Sequence, residues 1–289
     1  MNDTMNLGHT LLSPDALAGI RVAISASESA DLDRLGLVET HFRLALGEIA
    51  RSILVGGGKL AYGGHLDPDG YSTFLQHELH RYSRRDRPLL ICLALPEHRK
   101  LSLDDLNKKK AEMGLWGEIV CLGADGAPIE WNANRRPAPD PVIDDPGKRR
   151  SLTALRQYMA RNTNGRILIG GRREHFQGDL PGVLEEAIIA LEHGQPLYLA
   201  GGFGGVTFDI IKALGVDDGE WFPPRSNVGA PDERLTEGLA RLFEMAAGKG
   251  SKCLGNGLSV EENRRLASTP RPSDIAALVS LGLGRRFSK

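Results

Sequence analysis

The sequence predicts an α/β protein: a Rossmann-like open parallel sheet with helices on both faces, plus a C-terminal helical extension. Three observations predict it. Short, almost wholly apolar runs recur along the chain, as strands covered on both faces require. Segments with apolar residues at helical spacing alternate with them, which argues for right-handed crossovers into one sheet. Glycine is abundant, 35 residues in 289, and many glycines stand next to the apolar runs.

In chain order, "IRVAIS" (20–25) reads as the first strand and "LVETHFRLALGEIARSIL" (37–54) as the first helix. "KLAYGG" (59–64) is a second strand, "YSTFLQHELHRYSRR" (71–85) a second helix, and "PLLICLAL" (88–95) a third strand. "EIVCLG" (118–123) is a fourth strand, and a Pro- and Asn-rich loop (124–147) follows it. "KRRSLTALRQYMARNT" (148–163) is helical, "RILIGG" (166–171) a fifth strand, and "PGVLEEAIIALEHG" (181–194) a helix with Pro in its first turn and Gly after its end. "PLYLAGG" (196–202) is a sixth strand and "VTFDIIKALG" (206–215) its helix. Segments 232–247, 259–269 and 272–284 read as further helices. The expected organisation is a Rossmann-like unit over 15–215 and a helical extension over 216–289, a candidate oligomerisation surface.

A formal net charge of −1, with 25% charged residues, gives no basic footprint for nucleic acid. Cys92, Cys121 and Cys253 are widely spaced without a CxxC, and the first two lie inside apolar runs, as buried reduced thiols do. The opening "MNDTMNLGHTLL" lacks the basic and apolar regions of a signal peptide. No run approaches the roughly 18 apolar residues of a membrane span. A cytoplasmic chain is expected, with no membrane and no nucleic-acid partner.

In an open α/β sheet, ligands sit at the carboxyl ends of the strands, where the strand order reverses. Small and polar residues cluster at such ends: Ser25 and Ser27; Gly63, Gly64 and His65; Gly170, Gly171 and Arg172; Gly201 and Gly202. Glycine there admits a ligand close to the backbone, and a following helix start offers N–H groups to an anion. Tight turn chemistry explains any one such pair equally well.

The familiar phosphate motifs are incomplete. "GGGKL" (56–60) has Leu60 where a P-loop has Ser or Thr, and its glycines precede a strand; "GGFGGVT" (201–207) does not complete GxGxxG. His77 and His80 share one helix face but have no companion ligands, so no metal is expected, and no GxSxG elbow is present. Gly182, Glu185 and Glu186 stand within about a turn at a helix start. Either glutamate can meet ribose hydroxyls or cationic character at C1′, and either can simply be an acidic helix face near the positive dipole end.

"KLAYGGH", "MARNTNGRILIGGR…GDLPGVLEEAI" and "PLYLAGGFGG" together resemble the SLOG superfamily, over roughly 18–212. These Rossmann-like domains are related to the LOG/lysine-decarboxylase-like phosphoribohydrolases and to DprA. The resemblance points to bacterial branches of nucleotide-signalling and phage-defence systems, some associated with TIR or nucleoside-phosphorylase (PNP)-like domains. In the LOG motif P-G-G-x-G-T-x-x-E, the glycine pair matches Gly170-Gly171, the later Gly matches Gly182 and the Glu matches Glu186. The upstream Arg matches Arg156, with Arg161 as the competing choice. Ile169 replaces the motif's Pro and Val183 its Thr, and the insertion "RREHFQGDLP" (172–181) separates the glycines.

The resemblance implies a pocket for a nucleotide-derived small molecule, of NAD/ADP-ribose or nucleoside-phosphate type. Ser25, Ser27, Gly63, Gly64, His65, Gly170, Gly171, Arg172, Gly182, Glu185, Gly201 and Gly202 would be its ligand-binding residues. Used as a sensor, it would act through a homo-oligomer or a TIR-type or other effector protein, and no cofactor is implied. The alternative is an N-glycosidase or phosphoribohydrolase that cleaves the base–ribose bond, with Glu186 and Arg156 catalytic. In that reading Glu186 stabilises the transition state or orients water, and Arg156 holds phosphate. A lid role for the loop 123–141, with Trp131 stacking on a base, is the less economical reading of an ordinary surface loop.

Overall fold

The computed structural model describes residues 15–81, 86–130, 144–224, 232–246 and 248–287. Trp131, the lid candidate, lies outside them. Six strands form one parallel sheet: β1 (Arg21–Ser27), β2 (Lys59–Gly63), β3 (Leu89–Leu93), β4 (Gly117–Cys121), β5 (Gly165–Gly170) and β6 (Leu197–Ala200), in the order β4-β3-β2-β1-β5-β6. This is the expected Rossmann-like architecture. The chain winds outward from β1 to β4, then returns to place β5 on the other side of β1. Strand order therefore reverses between β1 and β5, the crevice where ligands settle in such sheets.

Alternation along the strands divides two buried layers. Val22, Ile24, Ile91, Ile167, Ile169 and Tyr198 face one layer with α1 (Glu39–Val55), α2 (Tyr71–His80), α4 (Leu103–Met113), α9 (Val260–Ser268) and α10 (Pro272–Phe287). On the opposite face Ala23, Ala61, Leu90 and Cys92 meet α5 (Asp145–Arg161). Leu168, Leu197 and Leu199 there meet α6 (Gly182–Glu192), α7 (Gly205–Ala213) and α8 (Glu233–Ala246). The C-terminal helices thus divide between the layers. Ile275, Val279 and Leu283 of α10 belong to the same buried cluster as Phe42, Leu46 and Ile53 of α1.

The structure departs from the sequence reading at three of its elements. The third strand ends at Leu93, and α3 (Leu95–Arg99) takes over with Pro96 in its first turn. α4 then fills a stretch that had no assignment. Its Ser102 N-cap accepts from Asp105 N at 3.0 Å, a side-chain cap that satisfies an orphan donor. The second helix ends at His80, so the remainder of the expected 71–85 span is not helical at Arg81, and 82–85 lie outside the described residues.

Candidate functional site

The carboxyl edge at the β1/β5 reversal is built from tight backbone contacts. Ser27 aligns with Gly170, and the Ser27 carbonyl accepts from Gly171 N at 3.0 Å. Gly170 and Gly171 have φ of 68° and 112°, a region L side chains resist. A Cβ on Gly171 would stand 2.9 Å from Val206 Cβ, so this turn is pressed against the start of α7. Ser27 Oγ accepts from Arg172 N at 3.3 Å, and Arg172 Nη2 donates to Glu28 Oε2 at 2.7 Å across the exposed rim. Arg172 is thus paired with a carboxylate.

The first turn of α6 packs beside this edge and carries both glutamates. Glu185 is buried and receives hydrogen bonds from Arg156 Nη1 and Thr153 Oγ1 of α5. Arg156 also lies 3.1 Å from the point where a Cβ on Gly182 would stand, beside the helix start. Pro181 supplies no side-chain cap to α6. The helix start, with no side-chain cap and with its positive dipole end, therefore adjoins a guanidinium. Arg161, the competing arginine, is exposed at the far end of α5.

Glu186 faces the sheet. Its Oε2 is 3.4 Å from Nη1 of Arg166, which is fully buried and donates to Ser25 Oγ at 2.9 Å. Burial pulls the Arg166 pKa down, and the neighbouring Glu186 partly offsets that pull. Both α6 glutamates are consequently held in ion pairs. Breaking such a buried pair from one side costs about 3–5 kcal/mol.

A third network pins the 172–181 segment. Arg173 donates to Asp209 at 2.5 Å, to Asp31 at 2.6 Å and to the Gly205 carbonyl at 2.8 Å. Asp31, itself buried, also accepts from Gly205 N and from Arg34 Nη1, each at 2.8 Å. Burial lowers the Arg173 pKa, but Asp209 and then Asp31 outweigh it, leaving the group above its ordinary value.

A cavity of about 360 Å³ opens beside these pairs, between α3, the start of α5, residues 176–178 and Arg234 of α8. Lys100, Lys148, Arg149 and Arg234 line it with Glu97, Asp145 and Phe176. Arg234 lies over the Phe176 ring, 4.2 Å from its centroid. Gly178 forms part of the wall, and a Cβ there would be 2.9 Å from Arg156 Nη1 and 3.4 Å from Glu185 Oε2. The cavity and the Arg156–Glu185 pair are neighbours.

The remaining candidates spread along the edge. Gly63 is closed over by Met159 and Leu155 of α5, while Gly64 packs against the Tyr62 ring and Ser72. His65 is half exposed and sits 3.1 Å from Asp67. Gly201 and Gly202 are buried under residues 267–270. The structure therefore gathers Ser25, Ser27, Gly170, Gly171, Arg172, Gly182, Glu185, Glu186 and Arg156 around the reversal. Gly63, Gly64 and His65 stand toward β2, and Gly201 and Gly202 under the C-terminal helices. Among the described residues, no three His, Cys, Asp or Glu side chains gather to hold a metal.

The profile described as SLOG cluster2 matches residues 16–266. The chain belongs to the SLOG cluster2 family. Membership agrees with the architecture just described and is consistent with nucleotide-related binding or processing. The SLOG match continues past the Rossmann-like unit, through α8 and into α9. A search of curated proteins finds no match. No helix among the described residues is long and apolar enough to cross a membrane.

Proposed function

We propose that this SLOG protein binds a nucleotide-derived ligand, of NAD/ADP-ribose or nucleoside-phosphate type, as a cytoplasmic sensor. The observation that carries the reading is the uncapped start of α6 beside Arg156, placed next to the β1/β5 reversal. Helix N–H groups and a guanidinium together suit a phosphate. The adjoining cavity of about 360 Å³ falls in the size range of small-molecule sites and offers cations with an aromatic ring. Phosphate would compete with Glu185 for Arg156.

Sensing is favoured over hydrolysis by the state of the glutamates. Glu185 and Glu186 are each engaged by an arginine, and Val183, where the LOG motif has Thr, is buried apolar. In this proposal the bound state is passed on by self-association or by a TIR-type or other effector.

A thermal-shift series over AMP, ADP-ribose, NAD and cyclic nucleotides tests the binding. A ligand of the native state raises the unfolding midpoint by mass action. A flat response to all of them sinks the nucleotide reading. Chromatography of the same mixtures decides the chemistry: free base from wild type but not from Glu186→Gln replaces the sensor with a hydrolase.

A further inference from the structure

Four cations converge on the cavity of about 360 Å³ from three separate elements. Lys100 stands at the end of α3, Lys148 and Arg149 in the opening turns of α5, and Arg234 in the first turn of α8. Each keeps between 40% and 53% of its side chain exposed, so a ligand can reach all four from solvent. Glu97 and Asp145 are the carboxylates in the lining, while Asp179 and Asp232 approach Arg149 and Arg234 from outside it.

These carboxylates restrain the cations only weakly. Lys148–Asp145 and Arg149–Asp179 stand at 3.5 and 3.6 Å, longer than an ordinary N–H···O bond. Lys100–Glu97 and Arg234–Asp232 are close, but they join near neighbours in sequence at the surface, where such pairs contribute little. Arg234 is the best held of the four: its guanidinium lies over the Phe176 ring and donates to the Gly178 carbonyl at 3.4 Å, which keeps it at the cavity's edge. Helix starts disfavour positive charge, so Lys148 and Arg234 stand against the dipoles of α5 and α8. An anion between them relieves that repulsion, and a cleft rich in one sign of charge concentrates such an ion.

The cavity adjoins the phosphate place assigned above. Arg156 Nη1 lies 2.9 Å from the point where a Cβ on Gly178 would stand in the cavity wall. Its Nη2 lies 3.1 Å from the corresponding point on Gly182, at the α6 start. One guanidinium thus borders both places. A phosphate that bridges two sugars carries a single charge, whereas a terminal phosphate carries about 1.5 to 2. Four accessible cations suit the terminal kind.

We propose that this cavity holds the free end of a phosphate chain, making the ligand a nucleoside di- or triphosphate. Its first phosphate lies at Arg156 and the α6 start, and its terminal phosphate among Lys100, Lys148, Arg149 and Arg234. The inference rests on the nucleotide reading above and names the phosphate end of that ligand.

The test is titration calorimetry of the whole chain, with magnesium left out, against AMP, ADP, ATP and ADP-ribose. ADP and ATP are expected to bind at least about tenfold tighter than AMP, and ADP tighter than ADP-ribose, whose second phosphate is bridged. ADP and ATP within about twofold of AMP, or ADP-ribose tighter than ADP, overturn the assignment and leave the nucleotide pocket standing. If none of the four binds, the pocket reading itself fails, and the assignment with it. Lys148→Gln/Arg149→Gln should bind AMP as the wild type does and lose the gain for ADP and ATP. Arg234→Gln, on a separate helix, carries the same expectation. Lys108→Gln/Lys110→Gln removes equal charge from α4, on the opposite face of the sheet, and should keep the gain. A gain that survives in both cavity variants, or that the α4 variant loses equally, overturns the assignment. Unliganded unfolding midpoints confirm that each variant is folded before it is titrated.

Discussion

Gly202 and Gly182 share a residue type and a sequence expectation, yet their surroundings call for opposite outcomes. A Cβ on Gly202 would stand 2.5 Å from Pro270 N and nearer still to the Thr269 carbonyl. Both neighbours are backbone, so no side chain can swing aside. Gly202→Ala must push the 269–270 segment, and with it α9 and α10, off the sheet. Overpacking of this kind costs about 1–3 kcal/mol, and the rigid backbone places the expected value near 3 kcal/mol. For a domain of this size that is a drop of about 6–12 °C in midpoint. At Gly182 a Cβ meets only Arg156, at 3.1 Å from Nη2 and 3.9 Å from Cζ, the mobile end of a long chain. Gly182→Ala should therefore keep its stability within about 1 kcal/mol, helped by the better helix propensity of alanine. It should nevertheless weaken nucleotide binding about tenfold by crowding the anion's place. Calorimetric unfolding and ligand titration of both variants read the contrast. An unchanged midpoint for Gly202→Ala, or unchanged affinity for Gly182→Ala, refutes the assignment of one glycine to packing and the other to the site.

Other perturbations follow from the buried charges. Asp31→Ala removes the acceptor of Gly205 N, Arg34 and Arg173, and a loss of about 3–5 kcal/mol in denaturant unfolding is expected; a loss below about 1 kcal/mol would show that the network is not structural. Arg156→Gln should lower nucleotide affinity, with a shallower salt dependence because one phosphate contact is gone; an unchanged salt slope contradicts a phosphate at Arg156. Alkaline pH should weaken the fold. Burial pushes the Cys92 thiol from 9.0 up to about 12 and raises Tyr62 and Tyr198 above their ordinary value. These groups keep their protons in the native state, whereas the unfolded chain releases them earlier. Stability is therefore full below about pH 9 and falls as pH rises toward the native-state values. Urea unfolding at about pH 8 and about pH 10.5 checks the sign, and equal or greater stability at the higher pH contradicts it.

The sheet was legible because its strands are apolar on both faces: "RILIGG" and "PLLICLAL" contain hardly a polar residue. α4 was not legible from periodicity, since its run of lysines leaves only Leu106 and Met113 buried. The Ser102–Asp105 spacing was the signal that would have found it. At the site, Glu185 and Glu186 stood out by their place after Gly182, but their partners did not. Arg166 reads locally as the charged entry to a strand. In a strand covered on both faces, however, a charge needs a buried partner, and that demand was the missed clue. Asp31, Arg173 and the cavity residues Lys100, Arg149, Phe176 and Arg234 come from distant segments with no shared motif, so only the folded chain assembles them. The role of Gly201 and Gly202 likewise depends on residues 267–270, far along the chain.

Hydrogen exchange with and without ADP-ribose measures the central claim most directly, because a sugar–phosphate cradle made of backbone amides must protect those amides. Protection should concentrate at residues 27–31, 170–173 and 182–186, with little change at 201–203. Uniform protection, or protection confined to α8–α10, would contradict a ligand seated at the β1/β5 reversal.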